Sequence, residues 1–348
     1  MTNQIGTDPS STLMYREAHE AADVVERQLA QNEVVVSALA ARLRQHSPNM
    51  AITCARGSSD HAAMYAKYVL ETQLGIVTAS ASPSVTSIYN APQRLEGALY
   101  LAISQSGRSP DLVRNAEAAR AAGAIVVALV NVEDSPLAAA AEVVIPLRAG
   151  PEKSVAATKS YIAALVATLH LVARWSEDTE LDEALRALPA QLRQGWDADW
   201  SGLVDALVDA RNFFVVGRGY GFAIALEAAL KFKETCALHA EAFSAAEVKH
   251  GPMALVGPEF PVLFFAQDDE TLASTLAVAS EFRGRGARVW VAAPGASGEG
   301  ALPLARSNAL TAPVLTIQSF YRAANALSLR RGLNPDVPPH LNKVTETV

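Results

Sequence analysis

Residues 52–71, ITCARGSSDHAAMYAKYVLE, and residues 213–234, FFVVGRGYGFAIALEAALKFKE, decide the fold. Each runs from a short apolar stretch through a Gly-containing turn into apolar residues at helical spacing. A buried strand, a tight turn and a helix, met twice in one chain, predict parallel βαβ units arranged in two similar halves. Outward from the first stretch, strands are expected at 50–55, 99–104, 124–130 and 143–146. Helices are expected at 59–74, at 110–122 with Gly123 as the stop, and at 155–175, which is long and mostly apolar. Outward from the second, strands fall at 213–216, 262–266 and 288–292, and helices at 221–238, 271–285 and 314–331. Residues 13–46 read as a leading helical arm, and the charged stretch 176–200 as a helical linker.

At 348 residues the chain has the length of about two ordinary domains. Half of it is hydrophobic, 19% is charged, and the net charge is −7. With no basic stripe to neutralise phosphates, a nucleic-acid partner is not expected. No run of about 18 apolar residues occurs, so no membrane span is expected, and the polar start MTNQIGTDPSS has no secretory apolar region. Cys54 and Cys236 sit in apolar contexts and read as core thiols of a cytoplasmic protein.

Chemistry concentrates in a few segments. Ser104-Gln105-Ser106-Gly107-Arg108-Ser109 separates a strand from a helix beginning near Pro110. Hydroxyls and backbone N–H groups at the carboxyl end of a parallel strand, with a helix N-terminus behind them, form an anion site; a plain turn with Ser109 as N-cap is the alternative. Gly57-Ser58-Ser59 occupies the equivalent turn after the first strand and could share the same anion. Only seven Lys occur in the chain, and Lys231, Lys233 and Lys249 lie within 226–252, LEAALKFKETCALHAEAFSAAEVKHGP. Glu227, Lys231 and Glu234 fall at i, i+4 and i+7, which by spacing alone fits a solvated, salt-bridged stripe; a Glu234 in a cleft would instead suit proton abstraction. His250, in a Lys-His-Gly-Pro turn, could act near neutral pH, while His239 and Glu241 read as supporting groups or helix ends. In the tail Pro338-Pro339-His340-Leu341-Asn342-Lys343-Val344-Thr345, Lys343 is either a solvated cation or an amine nucleophile for a carbonyl. No HxxxH or CxxC pair points to a metal.

SQSG after a strand, GRG before LEAALKFKE, then HAEAF, EVKHGP and the tail together resemble the sugar isomerase (SIS) family across residues 35–348. Within it the chain is similar to the isomerase half of glucosamine-6-phosphate synthase and to stand-alone glucosamine-6-phosphate deaminases. The resemblance implies an α/β fold of two flavodoxin-like domains with parallel sheets: an arm at 1–34, a phosphosugar-binding domain at 35–176, a linker at 177–200, a second domain at 201–332, and a tail at 333–348 over the site. It implies a homodimer with shared active sites, a phosphorylated amino sugar as substrate, and no cofactor. Ser58, Ser59, Ser104, Gln105, Ser106, Ser109, Val155, Ala157 and Lys231 then match substrate-contacting positions. Glu234 matches the base between C1 and C2, His250 the ring-opening group supplied by the neighbouring chain, and Lys343 the Schiff-base amine.

Two positions depart from the synthase pattern: Arg108 replaces an acidic residue, and Ala157 replaces a serine. Thr2 stands where a glutaminase nucleophile would need Cys, so no glutaminase activity is expected. SVAATKSY and SQSGRSPD resemble the deaminases instead. The expected reaction is conversion of glucosamine 6-phosphate to fructose 6-phosphate and ammonia. The alternatives are galactosamine 6-phosphate or a fructosamine 6-phosphate as substrate, ammonia-dependent synthesis, or a non-catalytic phosphosugar sensor.

Overall fold

The structure, a computed structural model, describes residues 8–343. In chain order its elements are α1 (Leu13–His19), α2 (Ala21–Gln45), β1 (Ala51–Cys54), α3 (Ser58–Leu74), β2 (Thr78–Ser80), α4 (Pro83–Ser87), β3 (Leu99–Ser104), α5 (Pro110–Ala121), β4 (Ile125–Val130), α6 (Pro136–Ala140), β5 (Val143–Pro146), α7 (Lys159–Ser176), α8 (Thr179–Gly195) and α9 (Ser201–Leu207). These are followed by β6 (Asn212–Gly217), α10 (Tyr220–Cys236), β7 (His239–Ser244), β8 (Pro261–Phe265), α11 (Leu272–Gly284), β9 (Arg288–Pro294), β10 (Ala301–Leu304) and α12 (Ala312–Arg330).

The chain divides into two compact bodies. One holds residues 23–152, 159–187 and 342–343, and is built on a five-stranded sheet ordered β2-β1-β3-β4-β5. The other holds residues 8–22, 153–158 and 188–341, and its sheet runs β10-β9-β8-β6-β7. Every pairing in both sheets is parallel. Numbered from each body's own first strand, both orders are 2-1-3-4-5, the flavodoxin-like arrangement. The α/β reading with two parallel sheets therefore holds, and the duplication read from the two opening stretches is visible in the topology.

The central strands explain themselves. LYLAIS in β3 and PVLFF in β8 are buried at every residue, as strands covered by helices on both faces must be. In the first body Ile52, Tyr100, Ala102, Val126 and Ala128 form the core beneath α5 and α6. In the second, Phe214, Val216, Phe264 and Phe282 do the same, and on the opposite face Phe232 of α10 meets Phe213 and Phe320 edge to face, both at 5.0 Å. Cys54 and Cys236 are buried free thiols, and burial pushes them up to about 11 and about 12. No described helix is long and apolar enough to cross a membrane.

Several expectations need correction. The helix expected from residue 155 starts at Lys159, and the stretch before it is irregular, the Lys153 and Ser154 amides bonding to the Glu17 carboxylate and the Val155 amide to the Asp336 carbonyl. His239 and Glu241 are not helix ends but lie in edge strand β7, paired with Asn212 and Phe214. The arm is two helices rather than one, with a break at Glu20.

Candidate active site

In the first body the turn after β3 sits where the strand order reverses, beside the turn after β1, since β1 and β3 are neighbours. That crevice is the usual ligand position of an open parallel sheet. Ser104, nearly fully buried, accepts the Gly107 amide on its Oγ at 3.0 Å and folds the turn back. The Gly107 carbonyl accepts from the Leu137 amide and the Gln105 carbonyl from the Asn131 amide, fastening the loop. Glycine is required at 107: its φ is +62°, and a Cβ there would lie 2.1 Å from Ser135 Oγ.

Ser106 and Ser109 are half-buried. Ser106 Oγ accepts the Arg108 amide at 3.3 Å. Ser109 holds the N-cap position of α5, with Pro110 at its first turn, but its hydroxyl makes no capping bond. Ser109 therefore occupies the expected N-cap position without using its hydroxyl to cap. Ser58 and Ser59 open α3 behind Gly57, whose φ of +56° and ψ of −132° suit only glycine. The first-turn amides of α3 and α5 thus lie behind serine-rich turns at adjacent strand ends, an arrangement able to hold a phosphate.

In the same body Glu152 is wholly buried. Its carboxylate accepts from the Ser160 amide (3.1 Å), the Ser160 hydroxyl (2.7 Å) and the Lys343 ammonium (2.9 Å). Lys343 is therefore no solvated tail cation; Val344 and Thr345 lie outside the described residues.

The second body carries the acid–base candidates. Lys231 and Glu227 have no exposed side-chain surface, and Glu234 keeps 21%. Lys231 Nζ lies 2.5 Å from Glu234 Oε2 and 3.3 Å from Glu227 Oε1, and the Tyr321 hydroxyl donates to Glu227 at 3.1 Å. The solvated-stripe reading fails here: two of the three charges are interior. Burial disfavours the Lys231 ammonium, but Glu227 and Glu234 together override it and hold its pKa above the ordinary value. One cation thus stands between two carboxylates, one enclosed and one at the solvent margin. Such a cation holds Glu234 by one oxygen at the solvent margin, a placement that suits a general base.

The other two lysines differ. Lys233 is exposed, and Lys249 pairs with Glu281 at 2.8 Å. His250 ends a 3-10 turn and is exposed, and its ring has no hydrogen-bond partner among the described residues. Val155 gives its amide to the Asp336 carbonyl, while Ala157 is half-buried in the 153–158 segment. A cavity of about 550 Å³ lined by Tyr15, Trp200, Val204, Arg322 and Arg330 contains none of the candidate residues. Among the described residues no cluster could hold a metal ion.

Sequence reasoning missed Glu152, Ser160, Tyr321, Arg56 and Asp111. Glu152 meets Lys343, and Tyr321 meets Glu227, only across long stretches of chain. Arg56 carried a local signal, a cation immediately before a glycine turn.

The SIS domain family matches residues 46–174 and 206–310, and the chain belongs to that family. The glutamine–fructose-6-phosphate aminotransferase of Thermotoga maritima is 35% identical over 309 residues, 82% of this chain and 50% of that protein. The chain spans about half the length of the curated relatives it matches. Among solved structures, a candidate phosphosugar isomerase from Silicibacter pomeroyi DSS-3 is 43% identical with a TM-score of 0.89, covering 93% of this chain and all (100%) of that one. The C-terminal domain of glucosamine-fructose-6-phosphate aminotransferase from Francisella tularensis is 25% identical, with a TM-score of 0.84 over 94% of this chain and 98% of that one. The glucosamine-6-phosphate deaminase of Thermotoga maritima shares the fold at 22% identity and a TM-score of 0.72, over 94% of this chain and 100% of that one.

Proposed function

We propose that the protein is a phosphosugar aldose–ketose isomerase that deaminates glucosamine 6-phosphate to fructose 6-phosphate and ammonia in the cytoplasm. The observation that carries the proposal is Glu234, a carboxylate at the solvent margin held by a fully buried lysine whose charge Glu227 balances. Ser104, Gln105, Ser106 and Ser109, with Ser58 and Ser59, bind the phosphate, and Val155 and Ala157 border the sugar. His250 moves a proton between the ring oxygen and the C1 hydroxyl to open the ring. Its exposed, unpartnered ring suits a homodimer in which it enters the neighbouring chain's site. Glu234 removes the proton from C2 and returns it to C1, turning the amino-aldehyde into a C2 ketimine. Water then adds to C2 and expels ammonia, or Lys343 displaces ammonia at C2 to form a Schiff base that water hydrolyses to the ketone and the free lysine.

Both the aminotransferase relative and the fold shared with a deaminase support chemistry at C1 and C2 of a hexose 6-phosphate. The assay is release of ammonia and fructose 6-phosphate from glucosamine 6-phosphate, with galactosamine 6-phosphate alongside. Glu234→Gln should lose about 10²–10⁴ in turnover while still binding substrate. Turnover like the parent's in that variant overturns the assignment, as does silence of the parent on both sugars.

A further inference from the structure

Arg56 follows β1 and directly precedes the Gly57 turn. Its Nε and Nη2 both donate to Asp111 Oδ2, at 3.0 and 2.8 Å. Asp111 is completely buried in the first turn of α5, whereas the Arg56 side chain is 49% exposed. A guanidinium has five N–H donors, and Asp111 engages two of them on one edge. Among the described residues the others have no partner. The cation is therefore clamped by a buried acid at the mouth of the crevice between the 56–59 and 104–109 turns, with its free edge toward solvent.

The charge inventory of the crevice gives this position a purpose. The 104–109 turn is neutral apart from the exposed Arg108, and two carboxylates begin the flanking helices: Asp111 in α5 and the exposed Asp60 in α3. A phosphate dianion at these helix starts meets dipoles that favour it and carboxylates that repel it. Arg56 is the residue that cancels the repulsion, and its planar fork suits a phosphate oxygen pair.

We infer that Arg56 is a phosphate-binding residue, held in place by Asp111, and that it supplies the crevice with its fixed positive charge. The inference rests on reading the 104–109 turn as the phosphate site. Arg56→Met leaves Asp111 buried and unpaired and is a folding risk, so the informative variant is Arg56→Met/Asp111→Asn, which removes both charges together. Arg56→Lys keeps the charge but loses the fork. Inorganic phosphate is the first probe, read by calorimetry and by the rise in Tm it causes.

The parent should bind phosphate, with affinity falling as ionic strength rises. The double variant should match the parent's Tm without phosphate, lose at least tenfold in phosphate affinity and have a flatter salt dependence; Arg56→Lys should fall between. With sugar phosphate, KM should rise by a similar factor while kcat stays within about twofold, since the C6 phosphate takes no part in the proton transfer between C1 and C2. Unchanged phosphate affinity and KM in the double variant would make Arg56 a purely structural partner of Asp111 and overturn the inference. Failure of the parent itself to bind phosphate, with Ser106→Ala equally silent, would instead overturn the turn as an anion site, and the inference with it.

Discussion

The two bodies share a topology and even a turn, yet their crevices carry opposite chemistry. Gly57 and Gly219, each following an arginine after the first strand, have nearly the same conformation, with φ of +56° in both and ψ of −132° and −128°. In the first body the neighbouring turn is Ser-Gln-Ser-Gly, and Arg56 keeps a free edge beside it. In the second the neighbouring turn, after β8, contains Asp268, Asp269 and Glu270. There Gln267 fills the crevice: its Nε2 bonds to the Arg218 carbonyl at 3.0 Å, and a Cβ on Gly221 would lie 2.5 Å from its Oε1. Arg218 turns to Ser274 of α11. One crevice is lined by serine hydroxyls and an arginine edge, while the other is filled by Gln267 and flanked by carboxylates. The second body's buried charges lie instead on its helix α10.

The largest effect expected from this division falls on the buried charges. Lys231→Met should cost about 3–5 kcal/mol of stability, because Glu227 would be left enclosed without its counter-charge. Thermal or denaturant unfolding measures this directly, and the second body should unfold first by hydrogen exchange. A loss below about 1 kcal/mol would mean that water reaches Glu227 and that the site is less enclosed than its geometry indicates.

The second prediction exchanges charge between the crevices. Ser106→Asp gives the first turn the character of the second. A unit charge about 4 Å from a phosphate oxygen costs between about 1 and 4 kcal/mol as the effective dielectric falls from bulk water to the protein surface. KM for the sugar phosphate should therefore rise by roughly 5- to 10³-fold. The reverse change, Asp268→Ser at an exposed position, should leave KM within about twofold. Equal effects from the two substitutions would end the distinction between an open and a closed crevice.

The sequence made the central layers of both sheets legible and left three of the four edge strands dark, for a physical reason; the fourth, β5 (VVIP), is itself an apolar run. β1, β3, β4, β6, β8 and β9 are covered on both faces and read as continuous apolar runs, within about two residues of their ends. β2 (TAS), β7 (HAEAFS) and β10 (ALPL, with an edge proline) pair on one side only and need no such run. At the site, the Ser-Gly turn and Glu234 were visible because local spacing carries them. The burial of Lys231 was not, since an i, i+4 stripe looks the same in water and in a core. Glu152 meets Lys343 across 191 residues and Arg56 meets Asp111 across 55, separations at which a single sequence carries no pattern.

The smallest predicted effect concerns what seams the helices of each body. In the second, α10 and α12 meet through the rings of Phe232 and Phe320, which do not titrate. In the first, Glu33 of α2 joins Arg174 and His170 of α7 at 2.8 and 3.1 Å. The hydrogen bonds from Arg174, outweighing desolvation and aided by Ser37 and His170, hold Glu33 down at about 2. A carboxyl whose folded pKa lies below its unfolded value of 4.5 gives its full stabilisation above pH 4.5 and loses it as pH falls toward 2. Burial also lowers His170, so acid works against the same seam from about pH 6.5 downward, where an unfolded imidazole begins to take up its proton. Glu33 is 45% exposed, and screening limits its share to about 1 kcal/mol. Protection against hydrogen exchange along α2 and α7, relative to α10 and α12, should fall from about pH 6.5 through His170 and again between pH 4.5 and 2 through Glu33, and Glu33→Gln should flatten the second part. Equal acid sensitivity of the two seams would show that the charge cluster at α2 and α7 does not set the first body's stability.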